Sequence, residues 1–252
     1  MKTIAVINQK GGVGKSTVSA VLLSGMNKKG IRTLAVDLDA QGNLSFNVGA
    51  DTNNRKTSFE LLTEKCSVRE LIQHTEQGDI IPSGSSLSGA DAFITSTGKE
   101  YRLKESLGQI KDLYDNIIID TPPALGILTV NALTASDSVI IPAQADVYSL
   151  QGISQLAETI SLVRKYCNPS LNISGILLTR YSTRTVLNRD IADMMREQAE
   201  NLDTRLFSTA IREAVAVREA QISQKSIFDY APKANVTGDF EKFINELLEV
   251  SE

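Results

Sequence analysis

A chain of 252 residues, 42% hydrophobic and 22% charged, carries enough apolar material for one large core and none of the bias of a disordered sequence. Its formal charge of −4 excludes wholesale electrostatic capture of nucleic acid, so any such contact has to be a local basic patch. A single histidine, His74, and two well-separated cysteines, Cys66 and Cys167, give no multi-histidine metal centre and no paired-cysteine motif; they suit a reducing compartment and leave Lys, Asp, backbone amides or a metal to carry chemistry.

The opening Met1-Lys2-Thr3-Ile4-Ala5-Val6-Ile7 has a short apolar run without a small-residue cleavage site and reads as a first strand, and no apolar stretch is long enough to cross a bilayer. Strands are predicted at Thr3–Asn8, Thr33–Asp37, Asp79–Ile81, Asn116–Asp120, Ser138–Ile141, Ile173–Thr179 and Leu206–Ile211. Between them, Ser16–Lys29 ends at Gly30 as a C-capped helix, Gly84–Gly98 reads as a loop entering a helix, and Leu150–Tyr166 sets Ile153, Leu156, Ile160 and Val163 on one helical face. Residues 239–249 repeat the amphipathic pattern. Val- and Ile-rich strands alternating with helices are the mark of a parallel sheet covered on both faces, and no linker divides the chain. The expected architecture is a single α/β domain over residues 1–252, a mostly parallel twisted sheet with helices on both faces. Ligands are then expected at the carboxyl ends of the strands.

Directly after the first strand stands Gln9-Lys10-Gly11-Gly12-Val13-Gly14-Lys15-Ser16-Thr17, followed at once by a helix. Here glycines let backbone amides face phosphates, the helix N-terminus favours their charge, Lys15 reaches the β and γ oxygens and Ser16 can hold Mg²⁺. The strict phosphate-loop pattern begins with Gly where this chain has Gln9, and a second lysine, Lys10, opens the loop instead. Ile117-Ile118-Ile119-Asp120 is an apolar strand ending in a carboxylate, suited to facing Mg²⁺. Val36-Asp37-Leu38-Asp39 sets two further carboxylates two residues apart at another strand end.

Gly11, Gly12, Gly14, Lys15, Ser16 and Thr17 after Lys10 match the deviant Walker A signature, and the sequence resembles the ParA/MinD family of P-loop ATPases. Ile141-Pro142-Ala143-Gln144, Leu177-Leu178-Thr179-Arg180-Tyr181, Thr183-Arg184-Thr185 and Ala231-Pro232 extend the resemblance along the chain. It implies ATP and Mg²⁺ as cofactors and slow hydrolysis in the absence of a partner. Lys10, Gly11, Gly12, Val13, Gly14, Lys15, Ser16, Thr17, Arg180 and Arg212 are expected to contact ATP, and Ser16, Asp37 and Asp120 to face the metal. Asp39 would orient the attacking water beside the catalytic lysines Lys10 and Lys15. By the same resemblance Lys10 reaches the partner's nucleotide across a homodimer, as an arginine finger does in trans.

The branch follows from what accompanies the loop. Neither cysteine has the setting of a cluster ligand, which argues against the nitrogenase iron protein relatives. The amphipathic segment Asp239–Glu249 has an acidic polar face that anionic lipid repels, so it is expected to cover the core and not to bind a membrane. The ParA branch remains: a cytoplasmic protein, nucleoid-associated when ATP-bound, holding nonspecific double-stranded DNA and released by a ParB-type partner. Arg184, Arg189, Arg218 and Lys225 are the candidate phosphate contacts. Where ParA relatives read Ile-Pro-Arg-Asn-Val-Arg this chain has Ile211-Arg212-Glu213-Ala214-Val215-Ala216, so the family's base-holding and DNA-binding residues are replaced there. The alternatives are a ParA-like ATPase positioning a non-DNA cargo, a MinD-like membrane-associated regulator, and a small-molecule kinase or ligase.

Overall fold

The computed structural model describes residues 1–52, 56–182 and 186–249. Its strands are β1 (Lys2–Val6), β2 (Thr33–Asp37), β3 (Gln73–Thr75), β4 (Gly78–Ile81), β5 (Asn116–Asp120), β6 (Ser138–Ala143) and β7 (Asn172–Leu178). They form one seven-stranded sheet in the order β3-β4-β2-β5-β1-β6-β7, parallel throughout except for β3 against β4. Helices α1 (Lys15–Lys28), α2 (Asn43–Asn47), α3 (Ser58–Leu62), α4 (Ala90–Phe93), α5 (Arg102–Gly108) and α6 (Ile127–Ala135) precede β6. The second half adds α7 (Val147–Tyr166), α8 (Val186–Asn201), α9 (Val215–Ile222), α10 (Ile227–Tyr230) and α11 (Asn235–Glu249).

Neighbouring side chains of one strand enter opposite cores, which is why the central strands read as unbroken apolar runs. Ile117 and Ile119 of β5 join residues of α3, α5 and α6, whereas Ile118 between them joins α1 and α11. A third cluster places β6 and β7 against α7 and α8. The expected α/β domain, with helices on both faces of a mostly parallel sheet, is therefore present.

Three elements differ from the sequence expectation. Leu206–Ile211 forms only isolated bridges, Leu206 with Ile176 of β7 and Ile211 with Thr179 just beyond it. The Glu246 carboxylate captures the amides of Ser208 (2.7 Å) and Thr209 (3.0 Å), so those donors leave the ladder. β3 went unpredicted because three residues, Gln73-His74-Thr75, offer no apolar alternation. Helix α7 also starts three residues earlier than Leu150, where the Asp146 side chain caps it by accepting from the Ser149 amide at 2.9 Å.

The apolar stripe of α11, with Val236, Phe240, Phe243, Ile244 and Leu247 all buried, packs on the core beside α1, as its acidic outer face led us to expect. Among the described residues no helix is long and apolar enough to cross a membrane. Close approach of α1, α10 and α11 depends on Gly25. A methyl group there meets Ile244 Cδ1 at 2.3 Å and the Phe228 ring at 2.9 Å, both in buried side chains. Gly25→Ala therefore is expected to destabilise by about 1–3 kcal/mol despite the better helix propensity of alanine, lowering the midpoint of thermal unfolding by several degrees.

Candidate nucleotide-binding site

Parallel pairing brings the carboxyl ends of β1, β2, β5 and β6 side by side. Asp37 and Asp120 are register partners on adjacent strands, and Val6, the last residue of β1, lies opposite Asp120. The chain leaving β1 turns through Gly12 and Gly14, at φ +76° and +92°, a left-handed conformation that glycine adopts without strain. The loop is pinned from its sides. The Asn8 side chain accepts from the Lys10 amide (2.9 Å) and donates to the Pro142 carbonyl (2.7 Å), while Thr179 Oγ1 donates to the Val13 carbonyl (2.7 Å). Gly14 is the N-cap of α1, so unpaired helix amides open onto a cavity of about 460 Å³ lined by Gly11, Lys15, Ser16, Thr17, Asp39 and Arg180, among others.

Charge in this cavity is arranged for a polyanion and a hard cation. Burial pushes the Lys15 ammonium below its ordinary pKa, opposed by Asp120 and Asp39, and Lys15 Nζ lies 3.4 Å from the Lys10 carbonyl. Burial and the adjacent Asp37 push the Asp120 carboxyl well above the carboxylate range, against the pull of Ser16, Ser19 and Lys15. Asp120 Oδ1 accepts from Ser19 Oγ at 3.0 Å, whereas its buried Oδ2 has no hydrogen-bond partner. A buried carboxylate oxygen left open in this way fits a cation beside the phosphate loop. Among the described residues no three or more His, Cys, Asp or Glu side chains converge as a metal cage. One carboxylate and the Ser16 hydroxyl, completed by phosphate oxygens and water, suit Mg²⁺, which is held in that manner.

Asp37 is placed differently from Asp120. Its carboxylate accepts from the Asp39 amide (3.0 Å), the Ser45 amide (2.8 Å) and Ser45 Oγ (2.7 Å), so it anchors the loop that carries Asp39. Burial still raises the Asp37 carboxyl above its usual range, against these hydrogen bonds. Asp39 in turn accepts from the Gln41 amide (3.0 Å) and borders the cavity. Ser83 Oγ holds the Asp39 carbonyl.

Of the other expected nucleotide contacts, Arg180 borders the phosphate cavity, with its backbone at φ +50°. Val13, Thr17 and Arg180 also border a second, apolar cavity of about 70 Å³ between the loop and α9. Arg212 borders that cavity too, but its guanidinium is held by Asp239 through Nε (2.6 Å) and Nη2 (2.8 Å). That two-pronged pair orients the Arg212 guanidinium, which stays half exposed beside the cavity. Lys10 forms an ion pair with Asp146 at 2.5 Å, with both side chains about one-third exposed (31% and 32%). Asp146, Ser45 and Gln221, which donates to Thr17, went unnoticed in the sequence because they reach the site through the fold and belong to no local motif. Arg189, Arg218 and Lys225 are exposed, and Arg184 lies outside the described residues.

Residues 1–173 match the AAA domain family AAA_31. The sporulation initiation inhibitor protein Soj of Bacillus subtilis is 40% identical over 237 residues, 92% of each chain. The chromosome partitioning protein ParA of Myxococcus xanthus is 37% identical over 227 residues, 88% of this chain and 77% of that one. This chain belongs to the ParA/MinD family of P-loop ATPases. Among solved structures, cobyrinic acid a,c-diamide synthase from Mycobacterium smegmatis with bound ADP and magnesium superposes with a TM-score of 0.86 at 32% identity, covering 98% of this chain and 94% of that one. A ParA/MinD ATPase thus shares its framework with a synthase, and what distinguishes members lies in the residues around the common loop.

Proposed function

We propose that this chain is a partitioning ATPase. It binds MgATP, forms a dimer across the nucleotide, binds DNA without sequence preference in that state, and is released when a ParB-type partner stimulates hydrolysis. It works in the cytoplasm and joins the nucleoid when ATP-bound. The reading rests first on Lys10. Lys15 already supplies the buried in-chain cation, and a second lysine at the mouth of the same loop, one-third exposed, is free to serve a facing copy once it leaves Asp146. The similarity to Soj and ParA supports the partitioning role.

In this mechanism the glycine loop and the α1 N-terminus bind the phosphates, Lys15 neutralises the β and γ oxygens, and Ser16 and Asp120 hold the cation. Mg²⁺ held there would supply positive charge to offset what develops on the phosphate oxygens. Asp39, anchored through Asp37, orients water towards the γ-phosphorus. Lys10 of the facing copy stabilises the transferring group, so hydrolysis is slow until the dimer is arranged for it. Loss of the γ-phosphate removes contacts that only the ATP state makes, which returns the pair to monomers. Arg189, Arg218 and Lys225 provide DNA phosphate contacts, together with Arg184, which lies near Arg189 in sequence.

Sedimentation of the Asp39→Ala protein with MgATP, with and without random-sequence duplex DNA, tests this. An ATP-dependent dimer that travels with DNA, weakens as salt rises and loses DNA on Arg189→Glu is the expected result. A dimer indifferent to DNA would assign the same switch to a non-DNA cargo, and a monomer insensitive to ATP would overturn the role of Lys10. A small-molecule synthase, the activity named for the M. smegmatis structure, is expected to release ADP only when an acceptor is present. ADP release by wild type without one argues against that reading.

A further inference from the structure

Helix α9 is fastened to the nucleotide site at two points. Gln221 Nε2 donates to Thr17 Oγ1 at 2.8 Å, joining residues 204 positions apart. Beyond its C-terminus, the Gln224 carbonyl accepts from Gln77 Nε2 at 3.1 Å, and the same amide donates to the Asn47 carbonyl at 2.7 Å. Asn47 closes α2, the helix that follows the Asp39 loop, and borders the phosphate cavity together with Thr17 and Gln221. Gln77 and Asn47 are buried, at 7% and 8% exposure, so the bond between them is shielded from water.

A threonine hydroxyl has one proton to give and lone pairs to receive. With Gln221 donating to the Thr17 oxygen, the hydroxyl proton is left for an acceptor on the cavity side, where the loop receives phosphate. Each bond in such a chain polarises the next. We propose that Gln221 is a positioning residue: it fixes the Thr17 hydroxyl for a phosphate oxygen and carries occupancy of the loop to α9. Arg218 lies on α9 and Lys225 three residues past its end, so the same link sets the exposed basic residues according to the nucleotide. The second half of this inference rests on the partitioning function above; the first half does not.

A double-mutant cycle on MgATP affinity decides the first half. Gln221→Met keeps length and removes the donor, and Thr17→Val keeps shape and removes the hydroxyl. Each single change is expected to weaken MgATP binding roughly 3- to 10-fold. The double variant is expected to bind no more weakly than the poorer single, because one bond has been removed once. Effects that multiply, or a Gln221→Met protein that binds as wild type does, would overturn the positioning role. Gln221→Ala serves as the second variant should Gln221→Met fold poorly.

The ratio of duplex DNA affinities with ATP and with ADP decides the second half. Gln221→Met is expected to lower this ratio several-fold while leaving Arg218 and Lys225 in place. An unchanged ratio overturns the link to α9. A wild-type protein with no DNA affinity in either state sinks the partitioning function and with it the link, whereas the Thr17–Gln221 cycle still stands or falls on its own result.

Discussion

Asp39→Ala is expected to retain MgATP and lose hydrolysis by about 10²- to 10⁴-fold, the range supplied by a positioned acid-base group. The expectation follows from where the carboxylate is anchored. Its backbone amide is fixed by Asp37 and its Oδ1 by the Gln41 amide, while the groups proposed to bind phosphate, Lys15, Ser16 and the glycine amides, lie on another segment of chain. Removing the Asp39 carboxylate therefore leaves the binding groups in place. Single-turnover hydrolysis measured beside nucleotide affinity checks the split; a parallel loss of both would show that Asp39 acts in binding.

Asp120→Asn has the opposite character, harming function while relieving the fold. In the nucleotide-free protein Asp120 is buried against Asp37, with one oxygen unpartnered, and its carboxyl is raised. A raised carboxyl costs nothing below the ordinary unfolded value near ~4. As pH climbs above it the unfolded chain releases a proton that the folded chain retains, so stability falls until the raised folded value is passed. The asparagine has no such penalty. Its nucleotide-free midpoint is expected to exceed that of wild type by several degrees near neutrality and to match it near pH ~4. Added MgATP should stabilise wild type and leave Asp120→Asn nearly unmoved, with Mg²⁺-dependent affinity reduced about 100-fold or more. Thermal unfolding across pH, with and without MgATP, checks both signs. A variant less stable than wild type in the nucleotide-free state at neutral pH would mean that the Lys15 attraction outweighs burial and the Asp37 repulsion.

The parts of this molecule legible in the sequence are those whose chemistry is local. The phosphate loop has its glycines, lysines and hydroxyls within nine consecutive residues, and Asp120 ends an apolar run that could only be a buried strand. Asp37 and Asp39 were legible as strand-end carboxylates, and Asp37 was expected to face the metal; that its carboxylate instead accepts from Ser45 and the Asp39 amide depends on Ser45 folding back over the strand end. The Lys10–Asp146 and Thr17–Gln221 pairs join residues 136 and 204 positions apart, a relation that neither spacing nor periodicity encodes. The apolar run at Leu206–Ile211 misled because the acceptor for two of its amides, Glu246, lies on α11. The pairing of Arg212 with Asp239, 27 positions on, is likewise invisible to spacing.

The parallel sheet that builds the site also sets when the site can exist. Its walls come from the segments 11–17 and 39–47, from Pro123, from Arg180 and finally from Gln221, with strands whose spatial neighbours are far apart in the chain. A nascent chain that has delivered the complete phosphate loop still lacks every other wall, and it acquires them one crossover at a time. Nucleotide affinity should accordingly be almost absent from intermediates that lack β7 and α9 and should appear late in refolding. ATP then acts on the finished fold, drawing folded chains out of the folding equilibrium without templating their assembly.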